Sequence, residues 1–113
     1  MEQTATITWK EFEKIEMRVG TIVQAEVFVE ARNPSYKITI SFGEYGLRKT
    51  SAQVTKLYTP EQLIGKQVVA VLNFPPKQIA NMLSECLLLG AMEGDEVTLL
   101  NTERPVKNGL RIG

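Results

Sequence analysis

The groups in this chain most able to do chemistry stand together at Ser84-Glu85-Cys86, at the head of the apolar run Leu87-Leu88-Leu89. A hydroxyl, a carboxylate and the single cysteine suggest a nucleophile with a base beside it. The chain contains no histidine. No imidazole is therefore available as a general base or metal ligand, and neither a Ser-His-Asp nor a Cys-His arrangement can form. Cys86 would need a lowered pKa to attack a substrate, whereas the adjacent carboxylate and the apolar run both raise it. The stretch reads instead as structure and binding. Cys86 is a small core filler, and Ser84 and Glu85 shape a mouth by fastening backbone amides or meeting a ligand's donors. Neither enzymatic activity nor a cofactor or metal is expected.

With 113 residues the chain is expected to form one domain with a modest core. No apolar run approaches the roughly 20 residues of a membrane helix. The opening residues are polar and acidic and lack the layout of a signal peptide. One cysteine gives no internal disulfide. A cytoplasmic protein without membrane insertion is the expectation.

Positive and negative charges balance, but they are distributed in blocks. Residues 1–30 carry six acids against three bases, whereas residues 31–80 carry two acids against seven bases, and the last 33 residues are again acidic. The basic middle block is either a solvated surface with acidic neighbours or a face for phosphates and acidic segments.

The elements that must position these groups are mostly strands. Thr8 and Glu11 have the spacing of a capping box, opening a short helix over 9–15 with Trp9, Phe12 and Ile15 on one face. Residues 17–30 alternate as a strand kinked at Gly20. A turn at Asn33-Pro34 leads to strict alternation of Tyr36, Ile38, Ile40 and Phe42. Glu44-Tyr45-Gly46 turns the chain into a returning arm from Leu47. Thr59, Pro60 and Gln62 start a second helix, and Gly65 stops it. Residues 67–73 read as a buried strand, 74–83 as a loop, 85–92 as another buried strand, and 94–101 as a turn and strand. A last short strand is expected around Leu110 and Ile112. The plan is all-β: a five-stranded Greek-key OB-fold barrel with a helix between strands 3 and 4, which an SH3-like barrel would not carry.

Three blocks, "FEKIEMRVGTIVQAE", "LYTPEQLIGKQVVAVLN" and "SECLLLGA", resemble in order and spacing the tRNA-binding OB-domain family. The stretches "ARNPSYKITISFG" and "FPPKQIANMLSECLLLG" are similar to its CsaA branch, that of export-related chaperones. Tyr36 stands at the family's tyrosine, but Pro34 replaces its lysine. Gln78-Ile79-Ala80-Asn81 replaces a basic loop, and Leu87 stands where many members have methionine. Ser84 and Glu85 match. Lost phosphate contacts weaken nucleic-acid binding and its salt dependence.

The resemblance implies a homodimeric chaperone that binds unfolded preproteins and peptides to assist export, with the translocation ATPase as a further partner. The alternative is a protein binding tRNA in trans through the same face. The basic and polar candidates for that face are Arg32, Asn33, Tyr36, Lys37, Arg48, Lys49 and Lys77. The loop and its exit add Ile79, Asn81, Met82, Ser84 and Glu85. Ile79 and Met82 are expected at the surface, and Phe74 and Leu83 in packing. The N-terminal helix and residues 97–112 are expected as dimerisation extensions, through Trp9, Phe12, Leu99, Leu100 and Ile112.

Overall fold

The computed structural model describes residues 4–113. A helix α1 (Trp9–Glu13) is followed by β1 (Met17–Val27), β2 (Tyr36–Ser41) and β3 (Leu47–Ala52), with a short 3-10 turn at Gly43–Tyr45. Helix α2 (Pro60–Leu63) precedes β4 (Gln67–Val71). Five short strands complete the chain: β5 (Lys77–Ile79), β6 (Met82–Ser84), β7 (Leu87–Leu88), β8 (Gly90–Glu93) and β9 (Glu96–Leu99).

The main sheet has the order β3-β2-β1-β4-β7, and hairpins β5–β6 and β8–β9 stand outside it. The sheet curls until β3 meets the segment entering β7, where the Glu85 N–H donates to the Lys49 carbonyl at 2.7 Å. The result is a nearly closed five-stranded OB-type barrel with α2 between β3 and β4, as the sequence leads one to expect. Alternate residues of β2, Tyr36, Ile38 and Ile40, point into the core with Ile22, Phe42, Leu63 and Val68. No helix among the described residues is long and apolar enough to cross a membrane.

Both helix starts are capping boxes. Thr8 Oγ1 accepts from the Glu11 amide at 3.1 Å, and the Glu11 carboxylate accepts from the Thr8 amide at 2.9 Å. Thr59 and Gln62 repeat the exchange at 3.3 and 2.9 Å. The expected kink at Gly20 is displaced. The register of β1 shifts between Ile22 and Gln24, and Gly20 instead makes room for the core. A Cβ there would lie 2.6 Å from Ile40 Cγ2 and 2.7 Å from the Phe42 ring.

Three expectations need correction. The expected loop over 74–83 contains the β5–β6 hairpin, in which Ile79 pairs with Met82. The expected strand over 85–92 is broken at Leu89, because β7 pairs with β4 whereas β8 turns away to pair with β9. The last strand is reduced to one bridge, Arg18 with Arg111. The tail is nonetheless tied to its own barrel: Gly109 N–H donates to Val19 C=O at 2.8 Å and Ile112 N–H to Met17 C=O at 2.9 Å.

Candidate functional site

Ser84, Glu85 and Cys86 leave the β6 hairpin arm and cross over β3. The Glu85 carboxylate accepts the Lys49 N–H at 3.0 Å, reinforcing the Glu85 N–H bond to the Lys49 carbonyl. Thr50 Oγ1 donates to the Cys86 carbonyl at 2.8 Å and pairs with Ser84 Oγ at 3.3 Å. Each of the three residues therefore fastens to β3. Burial pushes the Cys86 thiol up to about 11, with Glu85 adding to the rise; the Arg48 charge and the Thr50 hydrogen bond pull the other way. Below that value the thiol is protonated and a poor nucleophile. The trio acts as a clamp.

Two recesses flank the β5–β6 hairpin. The larger has a volume of about 790 Å³ and opens between the end of β3 and β7. Val54, Leu88, Val97 and Leu99 give it an apolar floor, Ile79 stands on the hairpin side, and Arg32, Asn33 and Lys77 stand among its lining residues. The smaller recess, about 200 Å³, lies on the outer side of β1–β3 between Lys37, Lys49, Asn81 and Met82. Lys37 is drawn toward Glu26 at 3.9 Å and lies 5.3 Å from the Phe28 ring.

The candidate residues are thus divided. Arg32, Asn33, Lys77 and Ile79 meet in the large recess, and Lys37, Lys49, Asn81 and Met82 in the small one. Two line neither. Tyr36 is buried and its hydroxyl donates to the Tyr58 carbonyl at 2.7 Å. Arg48 donates from Nη1 to the Leu72 carbonyl at 3.2 Å, across the barrel end.

The expected burial of the hairpin is reversed. Met82 is 8% exposed, whereas Leu83 is 47% and Phe74 56% exposed. Strand alternation is the cause: once 82–84 is a strand, Met82 turns inward and Leu83 outward. Ile79 is half-buried.

Among the residues named for dimerisation, Trp9 is 85% and Leu100 45% exposed. Phe12, Leu99 and Ile112 are half-buried. Leu99 packs against the core, and its N–H donates to the Tyr58 hydroxyl at 3.1 Å. Arg111 Nη2 donates to the Glu13 carbonyl at 2.6 Å, holding α1 beside the tail.

The apolar floor of the large recess was missed from the sequence. Its signal was the surplus in Cys86-Leu87-Leu88-Leu89: an antiparallel strand turns only alternate residues inward, so such a run must serve a second apolar environment.

Residues 17–111 match the family model described as "Putative tRNA binding domain". Methionine–tRNA ligase of Caldanaerobacter subterraneus is 32% identical over 98% of this chain, which spans only 17% of that enzyme's length. The crystal structure of the chaperone CsaA from Bacillus anthracis superposes with a TM-score of 0.92 at 45% identity, covering 96% of this chain and all (100%) of that one. The CsaA chaperone protein of Picrophilus torridus gives 0.90 at 47% identity, with 96% and 100% covered.

Proposed function

Because the chain belongs to the tRNA-binding OB-domain family and is of the CsaA type within it, we propose that it is a homodimeric, non-catalytic chaperone. It binds unfolded segments of preproteins in the cytoplasm and assists their export, with the translocation ATPase as a further partner. The barrel forms one domain, and α1 with residues 97–112 provides the dimer contacts, except Leu99, which packs against its own core and lines the recess. The exposed Trp9 and Leu100 support that contact.

The observation that carries this reading is the recess of about 790 Å³. Its apolar floor, with amide and cationic groups at the edge, suits an unfolded chain of mixed composition. A phosphate backbone gains nothing from Leu88, Val97 and Leu99, and two expected cations are absent at Pro34 and at Gln78-Ile79-Ala80-Asn81.

Trans-acting tRNA binding is the second reading. Lys37 and Lys49 are among the residues that line the smaller recess, and the family match favours this reading.

Titrating a labelled unfolded preprotein segment and a tRNA over a salt series separates the two. Polypeptide binding predicts a shallow salt slope and at least about tenfold weaker binding in Ile79→Ser, from roughly 1.5–3 kcal/mol of lost apolar burial. RNA binding predicts a steep slope that flattens by about one unit for each phosphate-contacting lysine removed, with Lys37→Gln and Lys49→Gln the first variants to compare. A steep slope with unchanged binding by Ile79→Ser would overturn the chaperone reading.

A further inference from the structure

The two walls of the large recess are strand edges. Glu85 binds both main-chain groups of Lys49, one through its N–H and one through its carboxylate. Those groups of Lys49 therefore point away from β2. Strand alternation turns the main-chain groups of Ser51 the same way, where among the described residues the carbonyl meets only the Thr50 hydroxyl at 3.4 Å, and the strand ends at Ala52. On the opposite wall, Leu87 pairs with Val71, and the Leu89 N–H donates to the Val69 carbonyl at 3.0 Å. The N–H and C=O of Leu88 consequently face away from β4, into the gap. Beyond the Lys49–Glu85 clamp the edges part, and residues 51–54 and 87–90 line opposite sides of the recess. Among the described residues no backbone hydrogen bond joins these two segments.

An edge with unpaired N–H and C=O groups is a template for another strand. The floor below it offers apolar contacts at Val54, Leu88, Val97 and Leu99. The charges at the rim are unbalanced. Asp95 is engaged by Lys56 at 3.6 Å, whereas Arg32 and Lys77 stand in no ion pair among the described residues. We propose that the free edge at the end of β3, at Ser51, binds an extended polypeptide segment by main-chain pairing. Alternate apolar side chains of the segment rest on the floor, and an acidic residue lies toward Arg32 and Lys77. Main-chain pairing reads no particular sequence, which is the property a binder of many unfolded clients needs. The proposal rests on the polypeptide reading above and specifies how the segment is held.

The test uses the full chain and a short fluorescein-labelled peptide that alternates valine and threonine and ends in glutamate, followed by anisotropy. Two further peptides carry N-methyl groups, one on its valine amides and the other on its threonine amides. Only one of these sets can face β3. One methylated peptide should bind on the order of tenfold more weakly, about the worth of one net hydrogen bond, while the other keeps its affinity. If the unmodified peptide binds and the two methylated forms are affected equally, edge pairing is wrong although polypeptide binding stands. If the unmodified peptide does not bind and a tRNA stem-loop does, both readings fall.

Discussion

On one side of the barrel β1 is paired almost continuously, from Met17 opposite Val71 to Val27 opposite Tyr36. On the other side, among the described residues, the hydrogen bonds that join β3 to the segment leading into β7 are those of Lys49 and Thr50 with Ser84, Glu85 and Cys86. The first side buries Val19, Ile22, Ile38 and Ile40 at no more than 1% exposure, whereas the second opens into the large recess. A barrel this small cannot close fully and also keep a strand edge free. Its closed side supplies most of the stability, and the clamp limits the opening to the stretch beyond Thr50. Regions with few buried contacts open at lower free energy than the core, and ligand-binding elements are drawn from that end of the scale.

The largest effect that would sharpen this contrast lies on the closed side. Phe42 is fully buried beside Gly20. Phe42→Ala should cost about 3–5 kcal/mol in a denaturant titration, from lost transfer energy plus the cavity left behind. Peptide affinity of the remaining folded protein should be unchanged. A loss below about 1 kcal/mol would mean that the core collapses around the gap and does not carry the stability assigned to it.

A smaller effect is expected at the clamp. Thr50→Val keeps the shape of the side chain but leaves the Cys86 carbonyl without its donor, which costs about 1–3 kcal/mol. The Glu85 amide should then exchange hydrogen faster while the Ile22 amide does not, because only the seam has loosened. If both amides accelerate together, the two sides open as one unit and the contrast fails.

Local signals made most of the closed side legible in the sequence. The Thr8–Glu11 and Thr59–Gln62 boxes and the alternation of Tyr36 to Phe42 each declare themselves within a few residues. The open side was not legible, for identifiable reasons. The β5–β6 turn passes through Ala80 at φ 49, a conformation usually signalled by glycine. Without that signal the segment reads as a loop, and the inward turn of Met82 and outward turn of Leu83 cannot be seen. The break at Leu89 is hidden in an unbroken apolar run. It is set by β8 pairing with β9, where a Cβ on Gly90 would lie 2.5 Å from Val97 Cγ1. The basic residues of the middle block look like one patch along the chain. The strands part them, Arg32 and Lys77 to one recess and Lys37 and Lys49 to the other.

The smallest expected effect comes from the thiol behind the clamp. Burial raises Cys86 from its ordinary 9.0 to about 11, so the folded state holds this proton more tightly than the unfolded chain does. The contribution to stability is therefore fully present below pH 9 and is lost as the pH rises through about 11. At pH 10 the loss should be on the order of 1 kcal/mol, since one pKa unit corresponds to about 1.4 kcal/mol. Lysine and tyrosine side chains also titrate in this range, so the informative quantity is the difference between the native protein and Cys86→Ala. The variant starts lower because it lacks a small core group, and its stability should fall less steeply between pH 9 and 11. Parallel curves would show that the thiolate is solvated where it forms, which would mean that water already enters the seam at Cys86 and that the clamp does not seal the barrel.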